Sequence, residues 1–446
     1  MKQNTSKIKL CANSSESKPI KGKQNTVNLN VIETISYGLL IGAAVALVFY
    51  LFHSDPVSYT IFLITEGQWG EYFTSISFGL SSVLLIALLI KPARYSQKVV
   101  WAMIGLTAFF IGAEEIDWGQ KIFHISTPSI LSHANVQNET SFHNLKYIKG
   151  VSIHRLVAYI VLGWSIFSVA VSLWFPRLKN RIQILGFPLI PIRIVLIFLT
   201  MPYFFLVYPV AKSDEICELF LSVAVLVWAY DIFIQYGWIK RIRGLWAVTT
   251  FVGILLFVAV LSAGMTYRFP GYIGWRLNMT ASREYTNYGM YDQAECIYEY
   301  IYSHPKYMTP ETRLNHARML LKSGNKNKAL YILTEAVNEF ETSDPPEKQL
   351  SRYLRSFGIV LGLLEQSDRA DAKFNQAIKL DEQQIESVSN QNAKAKLLWS
   401  IAKTLEARGD ISAAIDTAQQ ARSKAISAQL QWRLDMWIKT LTETTE

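Results

Sequence analysis

The stretch Val99-Val-Trp-Ala-Met-Ile-Gly-Leu-Thr-Ala-Phe-Phe-Ile-Gly-Ala-Glu-Glu-Ile-Asp-Trp-Gly-Gln-Lys121 decides how the chain is read. An apolar run ends at Ile111. Three carboxylates follow, Glu114, Glu115 and Asp117, with Trp118 beside them. Such a run is a membrane segment, and the acids then sit at or just inside its boundary. Ionisable groups at that depth are costly and usually line a cavity or a site. The stretch marks where a site would lie without naming a reaction.

Working outward, six further apolar runs occupy about 35–52, 73–90, 154–175, 189–210, 216–236 and 245–265, with 99–112 the third in order. The third reaches full spanning length only if its helix continues through the acids, which would place Glu114 and Asp117 on one face. The fifth contains Pro191, Arg193, Pro202 and Pro209 and is expected to be kinked or partly interfacial. No comparable run follows Arg268. The expected fold is all-α. A disordered basic tail over 1–31 precedes a seven-helix transmembrane domain over 32–267, a linker over 268–283 and tetratricopeptide-like helical repeats over 284–446. The first apolar run has no evident cleavage site, so it reads as the first helix and not as a leader.

The net charge of +9 invites a nucleic-acid reading, but its distribution argues against one. The tail and the basic stretches 91–98, 176–183 and 237–244 together carry +14, which leaves the rest of the chain at −5. Basic stretches that alternate with loops poor in Lys and Arg form a topology signal, not a nucleic-acid footprint. They place the N-terminus in the cytoplasm and everything after Arg268 on the other side. In a bacterium this is an inner-membrane protein with a periplasmic C-terminal domain. Cys11, Cys217 and Cys296 are odd in number and widely spaced, so no disulfide framework or metal motif is expected.

The orientation gathers the acids on one side. Glu66 and Glu71 precede the second span, and Glu114, Glu115 and Asp117 follow the third. Glu139 and His143 lie before the fourth, and Asp214, Glu215 and Glu218 open the sixth. This set is the candidate polar site. Carboxylates with a histidine suit a hard or borderline divalent metal, such as Zn²⁺, Ca²⁺ or iron. His143, Glu139 and Glu115 are the candidate ligands, since Glu139 and His143 at i and i+4 would share a helix face. A metal-bound water could attack a lipid-like ester, amide or phosphodiester. A proton or cation path is another use of such acids. The bland alternative is that acids simply mark non-cytoplasmic helix ends and complement helix dipoles, as at Asp214, Glu215 and Glu218. Trp69 and Trp118 read as interface anchors.

From residue 284 the pattern changes. Ala294, Ala329, Ala370 and Ala414 are each followed, at +4 and +7, by Tyr298 and Ile301, Leu333 and Ala336, Phe374 and Ala377, and Ala418 and Ala421. Gly289, Gly324 and Gly409 stand five residues before three of those alanines, and Glu365 holds the fourth such place. This resembles tetratricopeptide repeats, although the spacings of 35, 41 and 44 residues drift past the usual period of about 34. The resemblance implies stacked helical hairpins that bind a protein or peptide partner. A generic helical bundle is the plainer reading.

Two further likenesses bear on the membrane region. The acidic stretch, Pro128 and the run 135–144 (NVQNETSFHN) together resemble a set of bacterial multi-pass membrane proteins to which no activity attaches. Glu71-Tyr-Phe-Thr-Ser-Ile-Ser77 is similar to a Glu-aromatic-x-x-Thr-x-Ser stretch of the alkaline ceramidase superfamily, with Ser75 in place of the threonine. That likeness implies a seven-span, metal-dependent membrane hydrolase. The superfamily's late His-x-x-x-His pair is absent, and no histidine follows His154 in the membrane region. The expected function is therefore a polytopic envelope protein whose repeats recruit a protein partner and whose polar acidic outer-side pocket takes a ligand that the sequence does not name. The alternative is a metal-dependent hydrolase or transferase acting on a lipid or lipid-linked substrate.

Overall fold

The computed structural model describes residues 22–123, 125, 127, 153–187, 189–207, 210, 212–236, 245–309, 311–341 and 350–445. The described residues form helices and turns. Six helices are long and apolar enough to cross a membrane. They are α1 (Gly22–Ser54), α2 (Trp69–Ala87), α3 (Tyr95–Glu115), α4 (Ile153–Trp174), α7 (Ser213–Tyr236) and α8 (Leu245–Arg268). Between α4 and α7 lie a basic amphipathic helix, α5 (Pro176–Leu185), and a short apolar one, α6 (Val195–Pro202).

Helix α7 is the most buried of the six, and α2 packs against α3, α7 and α8. The outer helices leave apolar side chains bare, among them Leu39, Leu106, Ile160 and Leu256. A water-soluble surface does not tolerate apolar exposure of this extent, whereas a bilayer requires it. The chain is an integral membrane protein.

The fifth expected span is not one helix. It breaks into a 3-10 turn (Ile192–Ile194), α6 and a π-helical turn (Tyr203–Val207). Pro191 caps its start, and Pro202, which has no N–H to give, sits inside α6. Its ends still lie far apart. The Arg193 guanidinium bonds Asp231 and lies 3.4 Å from Glu33. The Lys212 ammonium lies 3.3 Å from Asp214 and 3.4 Å from Glu215. Asp214 and Asp231 are roughly 25 Å apart along α7 at 1.5 Å per residue.

The third span also departs from expectation. Helix α3 stops at Glu115, and Asp117, Trp118 and Gly119 turn left-handed at φ of 48°, 56° and 79°. Asp117 therefore leaves the helix face it was expected to share with Glu114.

The stretch 268–283, read as a linker, is folded. Helix α9 (Ile273–Met279) and the following π-helical turn bury Arg276, Leu277, Asn278, Thr280, Ala281 and Tyr285. Tyr285 stacks on Phe52 with ring centroids 5.2 Å apart and donates to the Phe52 carbonyl at 2.9 Å. Beyond it come α10 (Tyr291–Ser303), α11 (Thr312–Lys322), α12 (Lys326–Glu341), α13 (Leu350–Leu363), α14 (Ser367–Ser387), α15 (Gln391–Arg408), α16 (Ile411–Lys424) and α17 (Ala428–Thr445). They pack as hairpins: α11 with α12, α13 with α14, and α15 with α16. Every alanine of the spaced pattern, with its +4 and +7 partners, is buried. Small side chains there let the paired helices approach. One apolar core runs without interruption from Tyr37 on α1 to Ala377 on α14.

Candidate functional site

Close packing of α2 on α3 places the acids. A Cβ on Gly112 would stand 2.9 Å from the Ser75 carbonyl, and one on Gly105 would stand 3.2 Å from Ile86. Small residues on both helices allow this approach. Ser75 Oγ donates to the Gly112 carbonyl at 2.6 Å, which fixes the register of the two helices. Glu71 lies one turn before Ser75 and Glu115 just beyond Gly112, so the crossing brings both to one end of the bundle. Helix α7 packs on α2 and opens at that same end with Asp214, Glu215 and Glu218. Glu218, Glu215, Glu71 and Glu114 all lie within electrostatic range of the Glu115 carboxyl.

Specific donors hold several of these acids. The Gly67 amide donates to Glu71, and Trp118 Nε1 donates to Glu114 Oε1 at 2.5 Å. Lys212 serves Asp214 and Glu215. Trp118 thus turns back on its own helix to hold Glu114, while its ring meets Phe110 edge-on. Asp117 is buried in the left-handed turn. Glu66 stands slightly apart and pairs with Arg276 at 2.5 Å. Glu71, Glu114, Glu115, Glu215 and Glu218 therefore share one electrostatic neighbourhood, with Asp214 at its edge. Glu139 and His143 lie outside the described residues. Among the described residues, no three His, Cys, Asp or Glu side chains are grouped closely enough to hold a metal ion.

The hairpins hold a second charged group that the sequence reading missed. Arg318 on α11, Arg352 and Arg355 on α13, and Lys403 on α15 lie within electrostatic range of one another on the first helices of three hairpins. Arg352 reaches Glu311 at 2.5 Å, and Arg355 donates to the Ser400 carbonyl at 2.9 Å. Lys403 has its ammonium 3.7 Å from the centre of the Trp399 ring. Burial, then Arg355, Arg352 and Arg318, push the Lys403 ammonium down to about 8. Burial and Arg352 lower Arg318 in the same way. One signal was available: Arg318 and Lys403 each stand six residues before a turn glycine, Gly324 and Gly409.

A third polar group is structural. Buried His316 stacks on Tyr298 at 4.3 Å, meets the Tyr302 hydroxyl at 2.9 Å and Glu295 at 2.8 Å, and Lys328 also pairs with Glu295. Burial of Glu295 is outweighed by hydrogen bonds from His316 and Lys328, which hold its carboxyl at about 2. The network ties α10 to α11 and α12.

No known protein family, curated protein or solved structure matches the chain.

Proposed function

We propose that the protein is a membrane-anchored recruiting factor whose hairpin domain, on the non-cytoplasmic side, binds an anionic segment of a protein partner. The carrying observation is the cationic group formed by Arg318, Arg352, Arg355 and Lys403. The first helices α11, α13 and α15 touch one another in sequence, while the second helices make no comparable contacts. A stack joined along one layer curves toward that layer, as tetratricopeptide-like solenoids do. The four cations then lie on the inner, concave side. The four cations outnumber the acids beside them, Glu311, Asp381 and Glu406, and an anionic ligand would balance the excess charge.

The side of the membrane rests on the span count. Arg193 and Lys212 pair near opposite ends of α7, and the broken segment between them counts as a seventh crossing. With the basic loops in the cytoplasm, residues beyond α8 and the acidic bundle end both face outward. In a bacterium that side is the periplasm. Enzyme fusions after Lys98 and Glu446 test this: activity confined to the cytoplasm at the first and to the far side at the second supports an odd count.

The recruiting role is tested by placing a photo-crosslinking residue at Arg318 in the full-length protein in its native membrane, beside a control at exposed Tyr331 on the outer helix α12. A partner captured at Arg318 alone, and lost with Lys403→Glu, supports the reading. Equal capture at both positions, or capture indifferent to Lys403→Glu, sinks it.

The second reading, a metal-dependent hydrolase or transferase on a lipid-like substrate, has in its favour only that Glu71, Glu114, Glu215 and Glu218 share the electrostatic neighbourhood of Glu115, since the described acids are not grouped closely enough to hold a metal by themselves. Elemental mass spectrometry of wild type, Glu115→Gln and His143→Ala decides it. Near-stoichiometric metal lost in both variants supports this reading, and its absence after chelator-free purification counts against it.

A further inference from the structure

The outer end of the bundle is acidic, yet cations stand among the acids there, Lys212, Arg268 and Arg276 among the described residues. Arg268 and Arg276 line a cavity of about 440 Å³ between the 65–68 turn with the first turn of α2 and the start of the hairpin domain. Its walls are the exposed end of α8 and the rings of Phe269, Tyr272 and Trp275; Thr65 and Tyr72 form its buried part. Tyr72 donates to the Phe269 carbonyl at 2.9 Å and the Gly271 amide to the Gly67 carbonyl at 2.9 Å, so the walls are tied to each other.

The charges are unequally satisfied. Glu66, the one acid in the lining, is engaged by Arg276 at 2.5 Å. Arg268 has no carboxylate or hydrogen-bond partner among the described residues and lies over Phe269, 5.2 Å from the ring centre. The cavity therefore presents a spare positive charge at the depth where α8 leaves the membrane. Tyr267, Tyr272 and Trp275 are 90%, 67% and 46% exposed there. Such rings mark the headgroup layer of a bilayer. The exposed apolar flank of α8, with Leu256, Phe257 and Val260, runs from the cavity into the hydrocarbon.

We infer that this cavity binds the phosphate of a membrane lipid or lipid-linked amphiphile, with Arg268 as the ligand's counter-ion, Arg276 as the cation of the inner wall, and the acyl chains lying along α8. A guanidinium offers phosphate a planar pair of donors, and an aromatic rim suits the glycerol or sugar beside it. A volume of 440 Å³ accepts a phosphate with a small polar group but not the chains.

The test uses delipidated full-length protein in detergent and three probes: dioleoyl phosphatidylglycerol, dioleoylglycerol with the same chains and no phosphate, and glycerol phosphate with no chains. Binding is read by native mass spectrometry and by thermal shift. Phosphatidylglycerol should bind, dioleoylglycerol should bind far more weakly, and Arg268→Gln should weaken phosphatidylglycerol about tenfold, the worth of one charge-assisted contact. Arg283→Gln, exposed on the same segment but outside the cavity, should bind as wild type. Trp275→Leu gives a second variant that keeps both charges and should weaken the lipid less than Arg268→Gln does. Equal binding of phosphatidylglycerol and dioleoylglycerol, or no effect of Arg268→Gln, overturns the assignment. Glycerol phosphate binding as tightly as phosphatidylglycerol overturns the lipid as its source.

Discussion

The joint between membrane helices and hairpins predicts its own weak point. A Cβ built on Gly271 falls 1.7 Å from the Glu66 carbonyl oxygen, where real Cβ contacts essentially never come under 3.0 Å. Both partners are backbone, so no rotamer change relieves the clash. Gly271 has no positive φ, so alanine there is strained by proximity alone. Gly271→Ala must push the 65–68 turn away from 269–271 and break the hydrogen bond that the Gly271 N–H donates to the Gly67 carbonyl. Overpacking of about 1–3 kcal/mol and a lost hydrogen bond of about 1 kcal/mol give roughly 2–4 kcal/mol of local destabilisation. By hydrogen exchange in detergent, amides of α9 should open on the order of 30- to 1,000-fold more often, at about 1.4 kcal/mol per decade. Gly264→Ala is the control: nothing stands within 4 Å of its Cβ, and alanine should be neutral or stabilising in α8. Unchanged α9 protection in Gly271→Ala would refute the packing argument, since the clash leaves no cheaper escape.

Other outcomes follow from charge and backbone geometry. Glu295 is held at about 2 against an ordinary 4.5, so its contribution is present above pH 4.5 and lost as pH falls toward 2. Glu295→Gln should flatten that acid limb in pH-dependent melting of the full chain; an unaltered limb would exclude Glu295 as its source. Lys403 loses its charge as pH rises through about 8, so capture of an anionic partner should weaken over that range. Lys403→Arg should abolish this alkaline loss, and an identical loss in both proteins would assign it elsewhere. Glu365 occupies a left-handed turn at φ 60° where the other hairpins use glycine. Glu365→Gly should raise the stability of the α13–α14 hairpin by about 1 kcal/mol, read as slower exchange across it; faster exchange would mean that the Glu365 side chain matters more than its backbone. Gly112→Val should drive α2 from α3 and lower melting by several degrees, whereas Gly163→Val, with no neighbour within 4 Å, should not.

Residue order alone settled the helical class, because runs of twenty apolar residues and an alanine pattern at +4 and +7 are local properties of the chain. It also marked the turn where Glu365 replaces glycine, since a left-handed residue closes a helical hairpin whatever packs around it. The convergence of Glu71, Glu115 and Glu218 was legible only as a shared side. Their neighbourhood depends on Ser75 meeting Gly112, a contact between residues 37 apart. The broken segment at 192–207 kept its span-like composition, and prolines announced a kink without showing where the helix would fail.

What only the tertiary structure decided involves distance in the chain. The stretch 268–283, with its glycines and interfacial aromatics, reads as a linker. It is instead a buried joint, because Gly67 and Gly271 let two backbones touch and Tyr285 completes the Phe52 core. The cationic group of Arg318, Arg352, Arg355 and Lys403 is spread over three helices, and stacking alone assembles it. Periodicity fixes which face of each helix is apolar; the partner that face meets is fixed by the sum of many packing contacts across the whole chain.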